Sequence, residues 1–136
     1  MESKASCLCG KVKISVNNMP SNVGACHCGM CRKWSGSAYM AIDCGTEVKI
    51  DGTENISIYN SSDWAERGFC KNCGSNLFYR LKENQQYMVS AGLFEDPSSF
   101  MVDHQIFIDK KAAYYTLAND TKNMTEAEVF ARYGGE

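Results

Sequence analysis

Short runs of alternating apolar and polar residues dominate the chain. In residues 11–16, Val12, Ile14 and Val16 alternate with Lys11, Lys13 and Ser15, and residues 47–51 repeat the pattern through Val48 and Ile50. Period two places every second side chain on one face, as a half-buried strand requires. Residues 37–42 are almost continuously apolar and predict a buried strand, and residues 56–59 predict a shorter one. Residues 76–81 and 86–91 predict a hairpin that turns through 82–85, and residues 104–108 a further strand. Polar residues 17–22 read as a loop. Helical periodicity is confined to residues 125–133, where Thr125 stands at a capping position, Glu126 and Glu128 fill the first turn and Gly134 follows as a stop. The pattern predicts an all-β fold of one domain over 1–136, with a short C-terminal helix.

Composition narrows the class without naming a function. The 136 residues are 44% hydrophobic and 22% charged, with 14 basic and 16 acidic residues, ordinary for a globular domain with one modest core. No basic stripe marks a nucleic-acid surface. The N-terminal residues carry no apolar leader segment and no stretch is long enough to span a bilayer. A cytoplasmic protein that engages neither nucleic acid nor membrane is therefore expected. Nothing in the chain indicates an oligomeric state.

The cysteines change the picture. Of eight, seven fall in three tight clusters: Cys7-Leu-Cys9, Cys26-His-Cys28-Gly-Met-Cys31 and Cys70-Lys-Asn-Cys73. Such spacing suits a tetrahedral metal, because each short pair supplies two sulfurs to one ion. A disulfide scaffold fits poorly with clustered spacing in a reducing compartment. Cys70-Lys-Asn-Cys73 is followed by Gly74, which lets backbone N–H groups turn toward sulfur. Joined with Cys7 and Cys9 across about sixty residues, it would close a four-sulfur structural site. Cys26, Cys28 and Cys31 lack a second pair, so they would hold a second ion and leave a fourth position for a ligand.

A site of that kind suits chemistry on a thiol, which the metal's positive charge would hold as thiolate. Three thiolates donate strongly, so hydrolysis by zinc hydroxide is the less attractive use. In extended backbone Cys26 and Cys28 share a face, and His27 points away from them. Cys44 either completes the second site or packs as a small buried hydrophobe. Arg32 and Lys33 either meet carboxylates of a peptide-like thiol or are solvated. Trp34 walls the pocket or fills core. His104 is a candidate acid or base, or a structural histidine.

These segments carry a resemblance. Residues 6–12, 26–37 and 67–75, with later segments at 92–97 and 104–112, resemble the glutathione-dependent formaldehyde-activating enzyme family, which also includes centromere protein V. The resemblance implies an Mss4-like fold of several folded-over antiparallel sheets, stapled by zinc. It implies two zinc ions: a structural one on Cys7, Cys9, Cys70 and Cys73, and a catalytic one on Cys26, Cys28 and Cys31. It also implies formation of S-(hydroxymethyl)glutathione from formaldehyde and glutathione, a carbon–sulfur lyase activity. A non-catalytic thiol carrier and a zinc-stabilised protein-interaction module are the alternatives. Tyr114 stands where the family pattern leads one to expect a tryptophan.

Overall fold

A computed structural model describes residues 1–133. In chain order the strands are β1 (Glu2–Ser6), β2 (Lys13–Asn17), β3 (Asn22–Cys26), β4 (Tyr39–Gly45), β5 (Val48–Asp51), β6 (Ile56–Tyr59), β7 (Ala65–Cys70), β8 (Asn76–Leu81), β9 (Tyr87–Ser90), β10 (Met101–Ile106) and β11 (Lys122–Met124). Two α-helices, α1 (Gly29–Ser35) and α2 (Glu126–Tyr133), complete the regular structure with short 3-10 turns. The chain is arranged as two compact units, the first built from Met1–Ser21 and Ala41–Ser99 and the second from 22–40 and the described residues from Phe100 onward.

The first unit is antiparallel throughout. β2 pairs with β1 on one side and β5 on the other, so the strand with the clearest alternation is the centre of its sheet. Ile14 and Val16 are buried on one face while Lys13 and Asn17 are exposed, which is why period two was legible there. Residues 41–45 of β4 pair with β9, followed across the sheet by β8, β7 and β6. The hairpin expected between residues 76–81 and 86–91 is β8 and β9. Its turn places Gln85 in the left-handed region, at φ 61°. Residues 56–59 form β6 as expected.

β7 escaped the pattern for a physical reason. Its burial does not alternate, and its centre is the buried Arg67, whose guanidinium lies 5.0 Å from the Tyr79 ring centroid. Adjacent Glu66 and Arg67 break any apolar pattern and mask the strand, although the arginine is desolvated against an aromatic face.

In the second unit β10 pairs in parallel with β3 and with β11. This parallel pairing adds to the antiparallel sheets that the family resemblance implies and the first unit contains. Parallel neighbours need long connections that no local pattern encodes. Phe107 stops the strand two residues before the expected end by adopting φ 55°. At the C-terminus the expected helix is α2. Thr125 Oγ1 accepts from the Glu128 N–H at 3.2 Å and Glu128 Oε1 accepts from the Thr125 N–H at 2.7 Å, a reciprocal capping box. Phe130 of α2 meets Phe107 edge-on, with ring centroids 5.7 Å apart. The expected stop at Gly134 lies outside the described residues.

Helix α1 was not expected. It starts because Cys28 Sγ caps it, accepting from the Cys31 N–H at 3.3 Å. It ends at Gly36, whose φ of 87° is a left-handed conformation and whose N–H reaches Arg32 O. Cysteine is not a sequence signal for helix capping, so the segment read only as a metal loop.

Candidate metal centre

Cys7, Cys9, Cys70 and Cys73 converge in the first unit, with their four sulfurs all within 4.8 Å of one another. Cys7 and Cys9 lie on the turn that follows β1, Cys70 ends β7 and Cys73 lies on the turn that follows it. The Cys7 and Cys9 sulfurs are 3.6 Å apart, and those of Cys9 and Cys70 3.8 Å. A tetrahedron with metal–sulfur bonds of about 2.3 Å has edges of about 3.8 Å, so this donor set fits a zinc-type thiolate site.

Both turns also direct donors at sulfur. Val12 N–H donates to Cys7 Sγ at 3.3 Å. Ser75 Oγ lies 3.3 Å from Cys73 Sγ and accepts from the Leu8 N–H at 3.0 Å, which ties one turn to the other. The Ser75 hydroxyl and N–H hold the Cys73 thiol down at about 5. The Asn72 side chain, helped by the Lys11 backbone, lowers Cys9. Donors that stabilise thiolate over thiol prepare the group for a cation.

Cys26, Cys28 and Cys31 converge in the second unit, their sulfurs also within 4.8 Å of one another. Cys26 ends β3, Cys28 caps α1 and Cys31 lies buried in its first turn. Hydrogen bonding with Cys28 and Cys31 pushes the Cys26 thiol far up, and burial adds to it. Three sulfurs this close ionise together only around a positive charge. The group can therefore hold a metal ion through three donors. Among the described residues Cys44 belongs to neither group. It is buried, and that burial pushes its thiol up to about 12.

His27 lies between two of these cysteines and points away from them. Its ring is buried, with Nε2 2.8 Å from Gln105 Oε1 and Nδ1 3.1 Å from the Tyr115 hydroxyl. Gln105 Nε2 donates to Thr121 Oγ1 at 2.9 Å, so Gln105 Oε1 is left as acceptor. That network assigns the proton to His27 Nε2 and makes Nδ1 the acceptor from Tyr115. Both ring nitrogens are used, which excludes His27 as a ligand in this arrangement. Tyr115 is held in turn by Lys111, whose ammonium lies 4.6 Å from the ring centroid and donates to the Tyr115 carbonyl.

Gln105, Tyr115 and Thr121 were missed from the sequence. They lie 78 or more residues from His27, and a glutamine or tyrosine on its own signals nothing. Their role yields a prediction. Tyr115→Phe removes the donor to His27 Nδ1 and loosens the peptide between Cys26 and Cys28. Metal affinity at the three-cysteine group should fall about 10- to 100-fold, while the four-cysteine group is unaffected. Competitive chelator titration of the two-metal protein, which resolves two affinities, checks this.

The other residues singled out by sequence are dispersed around α1 and β10. Arg32 and Lys33 are exposed in its last turn, where cations also complement the helix dipole. Trp34 packs against Tyr39, with ring centroids 5.2 Å apart. His104 is half-exposed on β10, its Nδ1 2.7 Å from Asp103 Oδ1.

Comparison with known proteins supplies what geometry alone does not. Residues 2–110 match the family model described as glutathione-dependent formaldehyde-activating enzyme. The chain belongs to that family. A Schizosaccharomyces pombe protein named as an uncharacterized lyase is 35% identical over 129 residues, covering 94% of each chain. A solved structure of a Rhodobacter sphaeroides protein is similar with a TM-score of 0.56 and 27% identity, covering 68% of this chain and 87% of that one. The match to the formaldehyde-activating family spans both cysteine groups. Among the described residues no helix is long and apolar enough to cross a membrane.

Proposed function

We propose that this protein is a zinc-dependent carbon–sulfur lyase that makes and breaks the adduct of a thiol with an aldehyde, as S-(hydroxymethyl)glutathione synthase does. One observation carries the reading: the sulfurs divide into a closed group of four and a group of three. Membership of the formaldehyde-activating family and likeness to a protein named as a lyase support it. Zinc in the group of three would supply the positive charge that favours thiolate over thiol.

Each residue has a role in this reading. Cys7, Cys9, Cys70 and Cys73 hold a structural zinc ion that fixes two turns of the first unit. Cys26, Cys28 and Cys31 hold the catalytic one and leave a ligand position on one side. Arg32 and Lys33, exposed on α1, meet the carboxylates of glutathione. The substrate sulfur adds its lone pair to the aldehyde carbon, the C=O π pair moves to oxygen, and the thiol proton ends there. The reverse sequence breaks the C–S bond. Positioning two reactants in one site supplies most of the rate gain.

Aldehydes and thiols also combine in water, so the test separates binding from turnover. In protein loaded with cobalt in place of zinc, glutathione should change the absorption of one of two metal sites. Hemithioacetal formation with trace zinc protein should exceed the uncatalysed rate. A spectral response without excess turnover would reassign the protein as a thiol carrier, and no response would remove glutathione as its ligand.

A further inference from the structure

β3 and β10 lie side by side in parallel, with His104 opposite Gly24 and Ile106 opposite Cys26. Opposed residues of parallel neighbours project from the same face. Burial agrees: Val23, Ala25 and Gln105 are buried on one face, while Gly24, Cys26, His104 and Ile106 share the more open one. His104 therefore stands on the face that presents Cys26.

Three details suit that histidine to proton transfer. Gly24 provides its floor: a Cβ built there would lie 2.2 Å from His104 Nε2 and 2.7 Å from Cε1. Only glycine lets the imidazole lie across β3. Cys26 is two residues further along that strand, about 6.6 Å of backbone rise from Gly24, so the imidazole and the Cys26 side chain border one stretch of the same face. The register between β10 and β3 shifts between Val102 and His104, and this bulge brings the Asp103 carboxylate to Nδ1 at 2.7 Å. Bulges of this kind re-aim side chains. Asp103 accepts the Nδ1 proton, so Nε2 is left as the exchanging atom, and it has no hydrogen-bond partner among the described residues.

We infer that His104 is the catalytic proton carrier of the thiol–aldehyde reaction, oriented by Asp103 and seated on Gly24. This rests on the function proposed above. When the thiol binds, Nε2 takes its proton, and as the sulfur–carbon bond forms Nε2 passes that proton to the former carbonyl oxygen; in the reverse direction it moves the same proton back. No other reactant is consumed. The titratable and charged groups on His104 and its flanking strands are Asp103, bonded to Nδ1, Lys122 at the opposed position of β11 and Cys26 two residues beyond the opposed Gly24 of β3.

The test uses zinc-loaded wild type, His104→Gln and Gly24→Ala. The alanine methyl displaces the imidazole without removing it. Both variants should keep two metal ions and the cobalt response to glutathione, while turnover falls about 10²- to 10⁴-fold. The wild-type rate dependence between pH 5 and 8 should flatten in His104→Gln. Calorimetry in two buffers gives a readout apart from turnover: binding glutathione at pH 7 should release about one more proton from His104→Gln than from wild type. Wild-type turnover that His104→Gln leaves within twofold, or equal proton release from the two proteins, overturns the inference alone. Wild-type protein that never exceeds the uncatalysed rate overturns the function on which it rests, and the inference with it.

Discussion

Cys70→Ser is expected to abolish the cooperative fold of the first unit. Cys70 is fully buried at the end of β7, and its sulfur is 3.8 Å from that of Cys9, 61 residues away. Those two turns belong to different sheets of the unit, and the four sulfurs are what gathers them at one point. Structural zinc sites of this type contribute about 10–16 kcal/mol of binding free energy. A domain has only about 5–15 kcal/mol of net stability. Serine is a poor zinc donor, and its buried hydroxyl adds about 1–3 kcal/mol if it finds no partner. Thermal unfolding followed by circular dichroism should lose its cooperative transition, and metal content should fall from two ions per chain to one or fewer. Cys44→Ser is the matched control, since Cys44 is also buried but lies outside both groups. It should cost about 1–3 kcal/mol and keep both ions. Folded Cys70→Ser protein with two ions would contradict the assignment.

Cys28→Ser should do the opposite: leave the fold intact and remove the chemistry. Cys28 has two duties that serine separates. As the cap of α1 its side chain accepts from the Cys31 N–H, and serine is among the best residues for that duty. As a thiolate donor serine fails. The helix should therefore start where it does now, while the group of three loses a ligand. Metal content should fall from two ions to one, with the melting transition moved by only a few degrees. Turnover should drop to the uncatalysed background, about a thousandfold or more, because metal-derived charge stabilisation is worth several kcal/mol of barrier. Excess turnover retained by a one-metal Cys28→Ser protein would remove the group of three from the mechanism.

Much of the candidate metal site was legible because its donor pairs are local. The C-x-C and C-x-x-C spacings announce paired thiolates wherever they fall, and His27 between two cysteines of an extended segment has to face away from them. The alternation of Val12, Ile14 and Val16 marked a strand because one side of β2 is buried and the other solvated. Thr125 and Glu128 marked a helix start because a capping box is complete within four residues. Arg67 hid β7, and a cysteine cap hid α1, because in each a residue takes a role outside its usual one. β1 and β11 were illegible because they are short and mostly polar.

The sequence by itself determined which cysteines could serve as metal donors, how they pair locally, and that the chain is built mainly of strands. Spacing and periodicity are properties of neighbours, and neighbours are what a sequence displays. The meeting of Cys7 and Cys9 with Cys70 and Cys73 was expected from spacing and is realised in the fold; only the tertiary structure decided that His27 is gripped by Gln105 and Tyr115, and that His104 shares a face with Cys26. Each of those contacts closes a loop of more than sixty residues. Such closures depend on which strands pair and in which register, and that is settled by packing over the whole chain.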